Sequence, residues 1–415
     1  MSRIILPGTL LPESILNFLK GLSEMRKKIA LVNQRYGLEV NGGSELYTRQ
    51  IAERLTDFYD VDVITTKALD YTTWDNHYMA DDEYINGVHV IRFPVDQCRA
   101  KDFDKFNGEY LQSVSRGQTD IEKEKKWFEK QGPYCPKAIE YIVLHRNDYS
   151  AFIFVTYLYY LTVFGLPEAA DKSIFIPTAH DEPFIRFEKY KTLFNMPKGF
   201  IYLTNEEKEL VNGLFHNESI MSDVLGAGVT IPESVNADRF KEKYGVNNYI
   251  IYVGRIDEGK NCPQLFNYFI EYKKRNQNDL KLVLLGKAVC SIPKHKDIIS
   301  LGFVSDEDKF DGIKGARFLV LPSQFESLSI SVLEAMALGV PVLVNGGCEV
   351  LKGHCHNSNG GLYYNNYFEF EGCTEYLLSH NKEYSEMSEN CLEYIKKNFQ
   401  WDVIIERIRD LIEKI

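Results

Sequence analysis

QFESLSISVLEAMA, residues Gln324–Ala337, sets two carboxylates, Glu326 and Glu334, eight positions apart. The apolar run at 318–322 predicts a buried strand before this stretch, and the apolar positions inside the stretch are spaced as on one face of a helix. At about 1.5 Å per helical residue, the two carboxylates would lie about 10–12 Å apart. An anion between them would meet the positive end of the helix dipole. The stretch therefore predicts a strand, a loop and a helix that together hold an extended ligand such as a nucleotide sugar.

Size and charge limit the class of protein. The chain has 415 residues, 44% of them hydrophobic, which predicts a globular protein of two or three domains. It carries 48 Lys and Arg against 59 Asp and Glu, a net charge of −11 without a dense basic tract. This balance argues against a nucleic-acid partner. An acidic protein that binds an anionic ligand must concentrate positive charge locally, so single cations in loops become informative.

Apolar, β-rich runs alternate with helical patterns in two series. The first series is at 28–33, 60–65, 88–93, 152–155, 173–177 and 200–203, and the second is at 249–253, 281–285, 299–301, 318–321 and 342–344. Gly, Pro and small residues at 224–238 separate them and predict a linker. We expect an α/β protein in which two Rossmann-like domains face each other across a cleft, with ligands at the carboxyl ends of the strands. The polar, irregular segment 94–140 is predicted to be an insertion near one side of this cleft.

The loop GRIDEGK follows the strand predicted at 249–253. It contains Gly254, Arg255 and Lys260, and an arginine fork and a lysine at a strand end can grip a diphosphate. The alternative is that both cations lie on the surface and pair with Asp257 and Glu258.

Two first-domain motifs also follow predicted strands. Gly42 and Gly43 come directly before a predicted helix, where exposed backbone and free N–H groups can approach a phosphate; the alternative is an ordinary turn. His180 and Asp181 follow the run SIFIPTA, and the alternative there is a loop histidine with an aspartate that starts a helix.

Together the motifs resemble those of the retaining GT-B glycosyltransferases of family 4, the glycosyl transferases group 1. The matching residues are the pair Glu326–Glu334, the G-R-x4-K loop at 254–260, the GGSE sequence at 42–45 and the HDEP sequence at 180–183. The resemblance covers most of 28–400. It implies a first, acceptor domain (28–232), a second, donor domain (233–400) and a C-terminal helix (401–415) that crosses back to the first domain, with 1–27 as an N-terminal extension.

The resemblance also implies a role for each motif. Arg255 and Lys260 would stabilise the departing nucleoside diphosphate, Glu326 would contact the sugar hydroxyls, and His180 would hydrogen-bond the transferred sugar. Glu334 would bind the ribose. The remaining donor contacts would come from Gly42, Gly43, Gly254, Gly286, Phe303, Val304, Ser327 and Leu328. Family members have a second glycine after Gly286, and its replacement by Lys287 here leaves the contacts to the base open.

The implied reaction moves a sugar from a nucleoside-diphosphate sugar to a hydroxyl of a saccharide or lipid-linked acceptor, as in bacterial polysaccharide biosynthesis. Retention in similar enzymes is attributed to front-face attack, in which the leaving phosphate takes the acceptor proton. No D-x-D motif ends a strand, so neither a metal nor another cofactor is expected. Two alternatives remain: a GT-B sugar-nucleotide epimerase and a non-catalytic protein that binds sugar nucleotides.

Cysteine usage and the N-terminus bear on location. The eight cysteines are scattered, which favours reduced thiols, and 1–27 lacks a secretory signal, so we expect a cytoplasmic protein. Segment 10–25 could form a short amphipathic helix that packs on the protein or contacts the inner face of a membrane. The cluster Cys348, His354, Cys355 and His356 invites a metal interpretation, but adjacent ligands do not easily converge on one ion, and a loop wall is favoured.

Overall fold

The first half of the chain builds one mainly parallel sheet. The structure is a computed structural model that describes residues 26–40 and 42–415. The strands of this sheet are β1 (Lys28–Val32), β2 (Asp60–Thr66), β3 (Asp82–Ile85), β4 (Val88–Phe93), β5 (Ala151–Val155), β6 (Ser173–Ile176), β7 (Gly199–Tyr202) and β8 (Met221–Val224). They lie in the order β3-β4-β2-β1-β5-β6-β7-β8, and only the edge strand β3 is antiparallel to its neighbour.

Helices cover both faces of this sheet. They are α1 (Gly43–Leu55), α2 (Phe103–Ser115), α3 (Ile121–Gln131), α4 (Pro136–His145), α5 (Tyr160–Gly165), α6 (Glu188–Leu193) and α7 (Asn205–Phe215), with 3-10 helices at Arg146–Asp148, Leu166–Lys172 and Pro183–Arg186. The central strand β5 (AFIFV) is buried at every position because its two faces both pack against helices.

The second half repeats the architecture with a smaller, fully parallel sheet. Its strands are β9 (Tyr249–Val253), β10 (Lys281–Leu285), β11 (Ile298–Gly302), β12 (Leu319–Leu321), β13 (Val342–Asn345) and β14 (Gly361–Tyr364), in the order β11-β10-β9-β12-β13-β14. Its helices are α8 (Ala237–Tyr244), α9 (Cys262–Arg275), α10 (Asp306–Gly315), α11 (Ile330–Ala337), α12 (Glu349–Ser358), α13 (Tyr367–Ser379) and α14 (Asn381–Asn398). The predicted boundary at 232/233 falls in the segment between β8 and α8.

The C-terminal helix α15 (Trp401–Ile412) crosses back to the first domain, as expected. The guanidinium carbon of Arg54 in α1 lies 4.1 Å from the Trp401 ring centroid, and Lys27 pairs with Glu413 at 2.5 Å. The apolar face of α15 joins a continuous core that contains residues of both domains. Packing, rather than a flexible linker alone, therefore holds this helix on the first domain.

The strand predictions are confirmed with ends shifted by at most one residue, but the prediction for 94–140 is wrong in one respect. This segment is largely helical and forms α2, α3 and the start of α4. Trp127 and Phe128 of α3 are buried against the outer face of the first sheet, together with Phe187 and Tyr190. The insertion is therefore an integral helical layer rather than an irregular surface loop.

Strands β3, β8 and β14 were not predicted. All three lie at sheet edges, where a strand needs no long apolar run, and their sequences are DEYI, MSDV and GLYY. The amphipathic helix expected at 10–25 lies outside the described residues.

Candidate functional site

The loops that carry the motifs meet in the cleft between the two sheets. On the first domain, the loop after β1 leads to Gly42 and the loop after β6 contains His180. On the second domain, the loop after β9 contains Arg255 and the loop after β12 contains Glu326. Because every strand of origin is parallel to its neighbours, their carboxyl ends share one edge of each sheet, as the sequence predicts.

Lys260 and Glu326 contact each other directly. The ammonium Nζ of Lys260 lies 2.7 Å from Oε1 of Glu326, and their side chains are 31% and 12% exposed. The G-R-x4-K loop and the first glutamate of the pair are therefore brought together, although 66 residues separate them. A cation and a carboxylate side by side can serve a phosphate and a sugar hydroxyl of one ligand.

Arg255 is held by a carboxylate of its own loop. Its Nε donates to Asp257, which also accepts the backbone N–H of Lys260 at 2.7 Å, so Asp257 organises the whole turn. Burial opposes the charge on Arg255, but Asp257 outweighs it and keeps the pKa of the guanidinium above its usual value. The pairing of Arg255 with Asp257 matches the alternative considered for this loop, whereas Lys260 turns to Glu326 instead.

Arg255 also faces the first domain through Tyr71. Its guanidinium carbon lies 4.9 Å from the Tyr71 ring centroid, and that of Arg35, from the loop after β1, lies 5.4 Å from the same ring. Next to Tyr71, Asp70 lies 3.7 Å from Nζ of Lys287 in the second domain. These contacts after β2 join the two halves across the cleft, and they give Lys287 a partner that the sequence did not suggest.

The Gly42–Gly43 turn sits beside a buried ion pair. Arg35 pairs with Glu45 at 2.5 Å, and both side chains are 6% exposed. Gly42 occupies the N-cap position of α1 without a side-chain cap, so the first N–H groups of this helix rely on other partners. The buried pair fixes the turn at the start of α1, where the sequence predicts phosphate contacts.

Glu334 lies within α11 and is paired with Lys309. The two side chains are 2.7 Å apart and 9% and 19% exposed. Burial raises the pKa of Glu334, and Lys309 offsets part of that rise; burial opposes the charge on Lys309, but Glu334 holds its pKa above the usual value. The family resemblance implies that Glu334 binds the ribose. In the structure its carboxylate is already paired with Lys309, so a ribose hydroxyl would share Glu334 with that lysine.

The loop between β12 and α11 is anchored at several backbone carbonyls. Ser327 O accepts from Thr204 Oγ1 of the first domain at 3.4 Å, and Leu328 O accepts from His354 Nε2 at 2.7 Å. Ser329, next in the chain, has φ 70° and occupies the N-cap position of α11, but its side chain makes no capping hydrogen bond. Glu326 is thus presented by a loop that both domains help to hold.

His180 lies opposite this loop. Its ring centroid is 5.9 Å from that of Phe325, and Glu182 lies 3.6 Å from its Nδ1. Asp181 pairs with Arg186 at 2.6 Å. His180 and Glu326 therefore flank Phe325 from opposite domains.

A groove of about 710 Å³ runs from Phe325 along the first domain. One wall comes from the end of α2 and the loop after it, including Leu111 and Val114, and the other contains Arg186 and Lys191. Each of these cations pairs with a carboxylate of the same wall, Arg186 with Asp181 and Lys191 with Glu188. The groove therefore offers an apolar side and a polar side without a strong net charge.

Glu207 holds the start of the His180 loop through a hydrogen bond from the backbone of Ala179. It is fully buried, and its two carboxylate oxygens accept the backbone N–H groups of Ala179 and Leu203, both at 2.6 Å. Burial raises the pKa of Glu207 to about 8, despite these two donors. The residue ties the carboxyl ends of β6 and β7 together.

The other predicted donor contacts lie at strand ends of the second domain. Gly286 has φ 139°, and a Cβ there would collide with the carbonyl oxygen of Gly254, so the loops after β9 and β10 require glycine for their close approach. Phe303 is 73% exposed after β11, with Val304 half-buried beside it. Gly286 N donates to Gly302 O at 2.8 Å, so the loops after β10 and β11 start side by side.

Within the part of the chain that the structure describes, no cluster of three or more His, Cys, Asp or Glu could hold a metal ion. In the candidate cluster at 348–356, His354 holds Leu328 O and Tyr394, and burial raises the pKa of the Cys348 and Cys355 thiols. The metal interpretation of this cluster therefore has no support, and His354 has a structural role instead.

Among the comparisons with known proteins, the match to a protein family falls in the second domain. Residues 235–398 match the family described as glycosyl transferases group 1. This match lies wholly within the second domain. An uncharacterised glycosyltransferase of Methanocaldococcus jannaschii is 24% identical over 360 residues, which cover 80% of this chain and 84% of that protein.

Solved structures show the fold of the whole chain. The sucrose-phosphate synthase of Thermosynechococcus elongatus superposes with a TM-score of 0.69 at 16% identity, covering 94% of this chain and 99% of that one. HepE of Anabaena, solved in complex with UDP-glucose, gives 0.66 at 14% identity, covering 94% and 100%. The expected GT-B fold is confirmed.

Sequence reasoning missed the partners that organise the motifs. Asp70 and Tyr71 follow a strand that was predicted, so their place at the cleft could have been inferred, but their contacts with the other domain could not. Lys309 is distant from Glu334 in sequence and stands in an ordinary polar helix. Glu207 stands three residues after Thr204, whose hydroxyl caps α7, a spacing typical of a capping box.

Within 26–40 and 42–415, the structure contains no helix of the length and apolar character that a bilayer crossing needs.

Proposed function

We propose that this chain is a retaining glycosyltransferase of family 4 that moves a sugar from a nucleoside-diphosphate sugar to an acceptor hydroxyl. One observation carries the proposal: Lys260 of the G-R-x4-K loop meets Glu326 of the E-x7-E pair at 2.7 Å in the cleft. The group 1 match of the second domain and the neighbour solved with UDP-glucose support a nucleotide-sugar donor.

The donor would lie along the second domain with its diphosphate near Arg255 and Lys260. Both cations are paired with carboxylates, and an incoming diphosphate would compete for them as a more highly charged acceptor of hydrogen bonds. Release of Lys260 would leave Glu326 able to accept hydrogen bonds from sugar hydroxyls. Glu334, in the second turn of α11, would bind the ribose.

Chemistry would proceed by attack of the acceptor oxygen on the anomeric carbon from the face of the leaving group. The bond between that carbon and the diphosphate oxygen breaks, the new glycosidic bond forms, and the acceptor proton passes to the departing phosphate. The side chains would then act by stabilising charge on the diphosphate, with contributions from Arg255, Lys260 and the start of α11. No enzyme nucleophile, metal or further cofactor is needed in this scheme.

The acceptor would approach through the groove that ends at Phe325. Its apolar and polar sides suit a saccharide, whose rings combine apolar faces with hydroxyl edges, and Phe325 offers a surface on which a ring can stack. The hydroxyl that reacts would then arrive between His180 and Glu326. A lipid-linked saccharide would place its carrier further along the same groove. Such an enzyme would work in glycan biosynthesis in the cytoplasm, with access to the inner face of a membrane.

Nucleotide release from a panel of nucleotide sugars tests this function. Release that depends on a saccharide or lipid-linked acceptor, with the anomeric configuration of the donor kept in the product, supports the proposal. Acceptor-independent conversion of the sugar would indicate an epimerase, and saturable binding without turnover would indicate a binding protein. The same assay with a chelator should give unchanged activity; a loss restored by Mg²⁺ would contradict the metal-independent scheme.

A further inference from the structure

His180 has one ring nitrogen that lacks a partner. Nδ1 is buried and makes no hydrogen bond to any residue that the structure describes. The side chain as a whole is 27% exposed, so the ring presents its other edge, with Nε2, to the cleft. A buried ring nitrogen without a hydrogen-bond partner costs folding free energy. A nearby carboxylate determines whether this nitrogen carries a proton.

That carboxylate belongs to Glu182. Its Oε1 lies 3.6 Å from Nδ1 of His180 and accepts a hydrogen bond from the Tyr157 hydroxyl. Burial raises the pKa of Tyr157, which keeps the phenol protonated and therefore a donor to Glu182. The side chain of Glu182 is 15% exposed, so its position is set by the protein rather than by solvent.

Of the two neutral tautomers of His180, only the one with the proton on Nδ1 is favourable beside this carboxylate. A lone pair on Nδ1 would face the carboxylate and be repelled, whereas an N–H there would be attracted to it. A movement of less than about 1 Å would bring the two atoms into hydrogen-bond range. With the proton on Nδ1, Nε2 of the neutral ring is an acceptor.

We propose that Glu182 is a positioning residue that fixes the Nδ1–H tautomer of His180, so that Nε2 accepts a hydrogen bond from a hydroxyl of an uncharged donor sugar. This inference rests on the proposed function for its sugar but not for its tautomer. Glu326 is the carboxylate that the sugar would meet once Lys260 turns to the diphosphate, and a negative charge on the sugar would lie against it, which disfavours a uronic acid. The sugar class is therefore a neutral one with a free hydroxyl opposite His180.

Side-chain ¹⁵N NMR of the protein with labelled histidine tests the tautomer without turnover. His180 should show the Nδ1–H form, whereas His354, whose Nε2 donates to Leu328 O, provides an internal reference for the opposite form. Glu182→Ala should shift His180 toward the Nε2–H form. Tyr157→Phe keeps the carboxylate and should leave His180 unchanged, as should Glu168→Gln at an exposed site of the same domain. An Nε2–H form of His180 in the unaltered protein would overturn the assignment.

Calorimetry with UDP-glucose and UDP-glucuronate tests the sugar class. The neutral sugar should bind about ten- to hundredfold more tightly, because the uronate carboxylate would face like charge. Glu326→Gln, which removes the charge but keeps the shape, should reduce the preference for UDP-glucose over UDP-glucuronate. Equal or tighter binding of the uronate by the unaltered protein would refute the claim. If neither compound nor any other nucleotide sugar binds, the proposed function and the sugar class fail together, while the tautomer result stands separately.

Discussion

At the scale of single residues, the site is a set of cations that already have anionic partners. Lys260 and Lys309 each contact one glutamate of the E-x7-E pair, and Arg255 contacts Asp257. An acidic protein needs such pairs, since free carboxylates alone would repel a diphosphate. The pairs differ in burial: the side chains of Lys309 and Glu334 are 19% and 9% exposed, and those of Lys260 and Glu326 are 31% and 12% exposed.

Replacement of Lys260 by alanine should lower turnover more than donor binding. The ammonium would act mainly on charge that develops in the transition state, so we expect a loss of about 10²–10³-fold in kcat. Steady-state kinetics with calorimetry of donor binding measures both quantities. Lys296→Ala, an exposed lysine near the opposite edge of the second sheet, is the matched control. Turnover close to that of the control would remove Lys260 from the mechanism.

The pair Glu334–Lys309 should contribute to stability as well as to binding. Lys309→Met leaves a buried carboxylate without its partner and should cost about 3 kcal/mol of unfolding free energy, the lower end for a buried pair. The double variant with Glu334→Gln should regain most of that loss, yet still bind nucleotide weakly. Urea unfolding and calorimetry of the single and double variants test this. Equal instability of both would show that the pair is not coupled.

Most of the motif residues could be placed from the sequence because they lie in loops that follow apolar runs, whereas Glu334 lies in helix α11 after one such loop. Their partners could not, since Lys260 meets Glu326 across 66 positions and Tyr71 meets Arg255 across domains. A sequence shows spacing within one segment, whereas ion pairs depend on which loops converge. The roles assigned to these residues stay predictions until donor and acceptor are bound.

At the scale of elements, β6 and β7 depend on one buried carboxylate. Glu207 links the backbone after β6 to the backbone after β7, and so supports the loop that carries His180. The predicted strands at 173–177 and 200–203 gave no sign of this link. Periodicity identifies buried strands well, but it does not show what joins their ends.

Stability should depend on pH through Glu207. Its pKa is about 8 in the folded protein against 4.5 for an unperturbed glutamate, so the folded state retains the proton to higher pH. The resulting contribution is fully present below about pH 4.5 and is lost as pH rises through about 8. Urea unfolding across this range should show the unaltered protein losing stability relative to Glu207→Gln, whose amide does not titrate. A constant difference between the two proteins would contradict the raised pKa.

At the scale of the whole molecule, Tyr71 and Asp70 of the first domain touch Arg255 and Lys287 of the second. Exposed pairs of this kind contribute about 0.5–1 kcal/mol each, enough to bias closure but weak enough to allow opening. A donor must enter and a nucleotide must leave, so weak contacts across the cleft suit an enzyme that opens in each cycle.

Tyr71→Ala should shift the protein toward a more open form. Loss of the cation–π contact should weaken donor binding about two- to fivefold and increase the radius of gyration without ligand. Small-angle X-ray scattering and calorimetry measure these effects. Tyr84→Ala, at an exposed position on the edge strand β3, removes a similar ring far from the cleft and serves as the control. An unchanged radius and affinity would show that Tyr71 does not contribute to closure.

The two places where the chain passes between the domains lie against each other. Val229 N donates to Phe399 O at 3.2 Å, and a Cβ on Gly228 would collide with the Trp401 ring, so the returning segment packs on the outgoing one. During synthesis, the surface of α1 that packs against α15 therefore stays exposed until residues 401–412 have left the ribosome. The half of the protein that is made first is thus completed last. Truncation after residue 400 would therefore destabilise the amino-terminal half of the protein, because it would expose aggregation-prone apolar surface there and leave the second domain intact.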